Sequence, residues 1–154
     1  MQTKLFLVDT SAWILALRKQ PVPAIKKRID LLLADNRVVT VGIIKLELLG
    51  GTKTEQEFRR LKSRLDALEQ IETDTSLWEA AYDLAFTLRR SGVTVPYTDI
   101  VVAAAALKVA ATVVHVDTHF DLMASPLGLN VESLIGPASS AQDDLAASPA
   151  KERN

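Results

Sequence analysis

Four acidic residues stand where carboxylates could act together: Asp9, Glu47, Asp99 and Asp117. Asp9 directly follows the apolar run Leu5–Val8, and Asp117 directly follows Thr112–Val116. Glu47 lies about a turn and a half into a helical segment after Val38–Val41. Asp99 opens Ile100–Val109, a segment apolar on nearly all sides. Carboxylates gathered in one place disfavour each other's ionisation. A divalent cation resolves that conflict, and Mg2+ prefers oxygen ligands, taking one or two carboxylates and keeping several waters. The chemistry would be metal-assisted hydrolysis, with a bound water made more acidic and charge on phosphate oxygens stabilised during in-line displacement. A second ion about 3.5–4 Å away would stabilise the leaving group.

Each acid also has a plainer role. Asp9 before Thr10-Ser11 can cap a helix, and Glu47 can be a solvated helix position. Asp99 suits the positive end of a helix dipole, worth about 0.3–1 kcal/mol. Asp117 can close a strand in a turn. Together they carry more, because acids at or just past strand ends of one parallel sheet share a crevice by topology. That pattern supports a carboxylate metal site without choosing a substrate.

The elements that must position these acids follow from the pattern of apolar residues. Lys4–Val8, Val38–Val41 and Thr112–Val116 read as short buried strands, with weaker ones at Gln70–Glu72 and Leu129–Glu132. Helices are expected over Ala12–Lys19, from Pro23 to about Ala34, and over Gly42–Leu49, with Gly50-Gly51 just past its end. Another begins at Thr54 with Phe58, Leu61, Leu65 and Leu68 on one stripe. The next is capped by Asp74 or Thr75, turns Trp78, Ala81, Tyr82, Ala85 and Leu88 inward, and ends at Gly92. Ile100–Val109 belongs in the middle of the fold, covered all round. A short helix spans Thr118–Ala124. Strands alternating with helices give an α/β fold with a mainly parallel sheet.

Bulk properties set the frame. The chain has 154 residues, enough for one domain, and 48% apolar content builds an aliphatic core. With no cysteine, a disulfide scaffold, zinc ribbon or thiol nucleophile is excluded. No signal peptide or membrane span is evident, so a soluble, cytoplasmic protein is expected. The net charge of −1 gives no global attraction for nucleic acid. Lys45, Lys53, Arg59, Arg60, Lys62 and Arg64 nevertheless cluster around and after the Glu47 helix, either as a solvated face or as a contact for a polyanion. The stretch from Pro137 to Asn154, rich in Pro, Ser, Ala and charge, is expected to be a disordered tail after a domain over 1–136.

Leu7-Val8-Asp9-Thr10-Ser11, Ile43–Gly50 with its Glu-Leu-Leu-Gly, Thr98-Asp99-Ile100 running into Ala103–Leu107, and Val113–Phe120 followed by Asp121 resemble the successive motifs of VapC-type PIN-domain toxins. The motifs are short, but their order and spacing cover about residues 4–134. The resemblance implies a three-layer α/β/α fold with a parallel sheet and metal-dependent endoribonuclease activity. It further implies homodimers and a VapB-type antitoxin whose C-terminal segment occupies the active-site groove. By the same resemblance, Asp9 and Asp99 are the main Mg2+ ligands, with Mn2+ as a substitute ion. Glu47 completes the acidic pocket, and Asp117 holds metal-bound water or a second ion. Ser11 or Thr10 orients Asp9. Lys45, Lys53, Arg59 and Arg60 are candidate RNA contacts.

The family often places another acid where this chain has His119, with Asp121 shifted by two residues. His119 is expected to be structural or to touch substrate, and His115 to be a buried, hydrogen-bonded strand residue. Neither has a metal-binding partner at useful spacing along the chain. A solitary PIN nuclease of RNA processing and a non-catalytic PIN-like module remain as alternatives. Dehalogenase-like and receiver-like phosphotransfer folds fit poorly, because Ser11 stands where the first needs an acid and the run before Asp9 is wholly apolar.

Overall fold

Short β-branched runs become the strands of one sheet in the computed structural model, which describes residues 3–136. The expected tail beyond 136 lies outside the described residues. In chain order the elements are β1 (Phe6–Val8), α1 (Thr10–Leu17), α2 (Pro23–Ala34), β2 (Val38–Val41), α3 (Gly42–Gly50) and α4 (Glu55–Asp66). They continue with β3 (Glu69–Ile71), α5 (Thr75–Arg90), α6 (Tyr97–Lys108), β4 (Thr112–His115), α7 (Thr118–Leu127) and β5 (Val131–Ser133). The five strands are ordered β3-β2-β1-β4-β5, and every pairing is parallel. The fold is a three-layer α/β/α sandwich, as expected.

Strand order explains why the acids meet. The chain builds outward from β1 to β2 to β3, then crosses over and lays β4 and β5 on the other side of β1. The direction of winding therefore reverses between β1 and β4, and a crevice opens beyond their C-terminal ends. Register fixes what lines it: Leu7 pairs with Val113 and Val8 with Val114. The amide of Asp9 adds one more link, donating to the Val114 carbonyl at 2.9 Å. Asp9 and the segment after β4 thus leave the sheet side by side.

The expected central helix is central. Ile100 through Ala106 on α6 are all buried, and the alanine run Ala103–Ala106 presents a low surface on which α5 packs. That surface explains one correction. Trp78 and Tyr82 were expected to face inward but are 43% and 60% exposed, while Leu77, Ala81 and Leu88 are buried. The helix carries two apolar stripes offset by one residue, and the slimmer Leu/Ala stripe fits the small residues of α6 (Leu77 lies with Ala104 along that seam).

Other departures are at element ends. Helix α1 starts at Thr10 rather than Ala12, because Asp9 caps it. Leu68 falls beyond the end of α4, and Phe58 is 40% exposed, so only Leu65 of that stripe is fully buried. Gly50 closes α3 from inside, with Gly51 as a right-handed cap. Strand β5 begins at Val131, where it registers against Val113. Among the described residues no helix is long and apolar enough to cross a membrane.

Candidate functional site

Asp9 is at once the end of a buried strand and the cap of a helix. Its Oδ2 accepts hydrogen bonds from the Ser11 amide at 3.0 Å and the Ser11 hydroxyl at 2.6 Å. That hydroxyl in turn accepts from the Val116 amide at 3.0 Å, so one serine ties the ends of β1 and β4 to the same carboxylate. Asp9 is only 4% exposed. Burial dominates its ionisation and raises its pKa, against the Ser11 hydrogen bonds and with the help of nearby Asp117.

Asp117 plays the corresponding part after β4. It caps α7, accepting from the His119 amide at 2.9 Å through Oδ1. Asp99 arrives from elsewhere, in the first turn of α6, where its own amide donates to the Pro96 carbonyl. Its side chain is mostly buried. Desolvation first, then the charges of Asp9 and Asp117, push its pKa up to about 6, although His119 acts in the opposite sense. Glu47 projects from α3 and is more exposed. Thr10 donates to its Oε1 at 3.3 Å, and its pKa is raised by partial burial and then by Asp9. Asp9 is thus the hub: its charge acts on both Asp99 and Glu47, and Asp117 acts on Asp9 and Asp99. No lysine or arginine is among the groups that set the ionisation of Asp9, Glu47 or Asp99.

The resemblance pointed to Ser11, with Thr10 as the alternative, as the hydroxyl that orients Asp9. In space the two divide the work: Ser11 holds Asp9 and Thr10 holds Glu47.

His119 joins the acids in a way that the sequence did not show. Its Nδ1 lies 3.0 Å from Asp99 Oδ2 and 3.0 Å from Asp117 Oδ1. Those ligand atoms all fall within 4.8 Å of one another, close enough to hold one cation. Spacing along the chain offered it no metal-binding partner, but in space it has two candidate ones. Its partner on α6 is 20 residues away in sequence, so spacing could not announce the contact. His115 behaves as expected of a strand residue. It is fully buried, its Nδ1 accepts from the Asp117 amide at 3.1 Å, and burial pushes its pKa down. The ring is therefore neutral with its proton on Nε2, which lies 3.3 Å from Asp121 Oδ1 without hydrogen-bonding geometry. That salt-bridge distance is a contact between a buried ring and a half-exposed carboxylate, not an ion pair.

The basic residues are less uniform than the sequence suggested. Lys45 is paired with Asp66 at 2.6 Å, and Lys62 meets the same carboxylate. Arg59 pairs with Glu55 one turn back. Lys53 and Arg60 have no acid in ion-pair contact among the described residues.

An all-parallel α/β/α fold with an acidic crevice at its winding reversal defines a class, and the sequence agrees: the PIN domain model matches residues 6–126, so the chain belongs to the PIN domain family. Within that class it is similar to Ribonuclease VapC21 of Mycobacterium tuberculosis, 29% identical over 138 residues that cover 88% of this chain and 97% of the relative. VapC ribonuclease Mb1587 of Mycobacterium bovis is likewise 29% identical, over 84% of this chain and 98% of its own length. Two solved structures share the fold. VapBC2 from Rickettsia felis, bound to a DNA fragment from its promoter, matches with a TM-score of 0.69 at 21% identity, covering 84% of this chain and 98% of that one. DNA-bound VapBC from Salmonella typhimurium matches with a TM-score of 0.69 at 22% identity, covering 85% and 98%.

Proposed function

We propose that this chain is a metal-dependent endoribonuclease and the toxin half of a VapBC-type toxin–antitoxin pair. One observation carries the catalytic part: Asp9, Asp99 and Asp117 converge, with Glu47 at the rim, where the sheet's winding reverses, and no lysine or arginine is among the groups that set the ionisation of Asp9, Glu47 or Asp99. A cluster with two raised buried carboxylates and a raised rim glutamate lacks a counter-charge, and the donor set fits a small divalent cation. Similarity to VapC ribonucleases over nearly their whole length supports RNA as substrate. The solved VapBC assemblies support an antitoxin partner.

Asp9, Asp99 and Asp117 would hold the ion, with Glu47 completing the pocket; Mg2+ suits the carboxylates, and Mn2+ can replace it. When bound, the ion supplies charge for the phosphate oxygens and acidifies the attacking water. The rest is the work of this chain. Ser11 fixes Asp9 through its hydroxyl and amide while anchoring Val116, so the two strand ends cannot drift apart. Thr10 orients Glu47 toward the pocket. Without a cation Asp99 takes up its proton at about pH 6, well above an ordinary carboxyl, and a bound ion would favour the ionised form. Lys53 and Arg60, not engaged by acids, are the better placed of the proposed RNA contacts. A homodimer, a cytoplasmic setting and a domain over 1–136 belong to the same proposal.

Expression of the chain alone and with its neighbouring small gene tests this reading. Wild type alone should arrest growth and fragment RNA, co-expression should relieve both, and Asp99→Asn should be harmless. Toxicity indifferent to Asp99 would remove the catalytic claim. Cleavage that no neighbouring gene relieves would point instead to a solitary PIN nuclease.

A further inference from the structure

We infer that His119 is itself a ligand of the ion in this pocket, and that its nitrogen makes the site prefer Mn2+ to Mg2+. The inference rests on the acidic pocket being a metal site. The Nδ1 atom lies at the same distance, 3.0 Å, from Asp99 Oδ2 and from Asp117 Oδ1. These two carboxylates come from α6 and from the start of α7, so His119 stands at the point where they converge. Its position is built: its backbone amide is committed to Asp117 Oδ1 at 2.9 Å, which sets the ring over the cap of α7. The ring is not a packing element, since its side chain is 38% exposed.

His115 provides the contrast. The chain has two histidines, and His115 is fully buried with Nδ1 already accepting from the Asp117 amide. Only His119 can turn a ring nitrogen to the carboxylates that meet in the pocket.

The nitrogen changes which ion is favoured. Mg2+ is hard, prefers oxygen and dehydrates reluctantly. Imidazole nitrogen is a better donor to first-row transition ions than to Mg2+. Mn2+ is the weakest of that series and shares the liking of Mg2+ for carboxylates, but its d-shell lets it gain from one nitrogen where Mg2+ does not. Replacing one carboxylate by a neutral imidazole also removes a negative charge, which costs Mg2+ more than an ion that gains from nitrogen donation. A site of Asp99, Asp117 and His119 is therefore biased toward Mn2+ in a way an all-carboxylate site is not.

The test is binding and spectroscopy on purified, chelator-stripped full-length protein, with the ions alone as probes. Calorimetric titration should give tighter binding for Mn2+ than for Mg2+. His119→Asn should weaken Mn2+ about tenfold or more, in the range seen when groups supporting a metal are lost, while Mg2+ changes by less than about twofold. His119→Asp should narrow the gap between the ions. Pulsed electron paramagnetic resonance of the Mn2+-loaded wild type should show coupling to a nitrogen-14 nucleus of imidazole, and His119→Asp should abolish it. This readout on wild type does not depend on any variant folding. Mn2+ bound without nitrogen coupling, or coupling that persists in His119→Asp, would overturn the assignment while leaving the metal pocket intact. Failure of wild type to bind either ion would overturn the pocket itself.

Discussion

The tripeptide Asp-Thr-Ser occurs twice as a helix cap, at residues 9–11 and at 74–76, and the two copies end in opposite electrostatic states. At α5, Asp74 accepts from the Ser76 hydroxyl at 2.8 Å, the Leu77 amide at 2.9 Å and Lys108 at 3.0 Å. Those hydrogen bonds, led by Ser76, hold its pKa down at about 2. At α1, Asp9 has an equally close serine, yet its pKa is raised because burial outweighs the hydrogen bonds and Asp117 adds repulsion. The local motif is shared. What differs is the strand before it: Asp9 leaves the middle of a parallel sheet beside β4, whereas Asp74 follows the edge strand β3. A capping motif becomes a site when the sheet delivers other acids to it and withholds cations.

The largest effect that would sharpen this contrast is catalytic. Asp9→Asn should lower RNA cleavage by about a hundredfold or more, the scale on which groups stabilising a transition state act. Asp74→Asn, which keeps a competent cap, should cleave at the wild-type rate. Equal loss in both variants, measured on purified proteins of matched folded fraction, would erase the distinction.

Next come the serines. Ser11→Ala removes the donor to Asp9 and leaves the Val116 amide without its acceptor in a part-buried setting. Denaturant unfolding should show a loss of about 1–3 kcal/mol. Ser76→Ala, whose hydroxyl serves an exposed cap, should cost clearly less. Equal costs would mean that the Ser11 bridge between β1 and β4 does not matter to the fold.

The pH dependence of stability separates the two regions by sign. Asp99 faces Asp9, Asp117 and His119, and its pKa is raised from 3.8 to about 6. A carboxyl whose folded pKa lies above its unfolded value stabilises most below the unfolded value, and that share is lost as pH rises through the folded one. Chelated wild type should therefore lose stability between about pH 4 and pH 6 from this group, and Asp99→Asn should flatten that slope. Asp74 goes the other way. Lowered from 3.8 to about 2, it contributes above pH 3.8 and is lost as pH falls toward 2. Thermal melts of wild type, Asp99→Asn and Asp74→Asn across pH 2–7 would show the two slopes, and a wild-type slope unchanged by Asp99→Asn would break the comparison.

How much of this was legible beforehand depends on range. Asp9 and Asp117 were readable because each ends a β-branched run, and strand ends in a parallel sheet face one way. Asp99 was readable as the start of an unusually apolar helix, although that it turns toward β1 and β4 required the packing of α6. Glu47 stood out only through resemblance, since nothing in the spacing of α3 distinguishes it from a solvated position. The place of His119 beside Asp99 was not legible, because that contact spans α6 and β4, a relation no local pattern encodes. Trp78 and Tyr82 were misplaced for a related reason: α5 carries two apolar stripes, and only the shape of its neighbour decides which is buried.

The central claim, that these acids act as one metal-dependent site on RNA, is tested most directly by cleavage of a defined RNA by the purified chain. A chelator should abolish cleavage, excess Mg2+ or Mn2+ should restore it, and Asp99→Asn should stay inactive throughout. Cleavage that continues in the chelator, or that Asp99→Asn retains, would contradict the account.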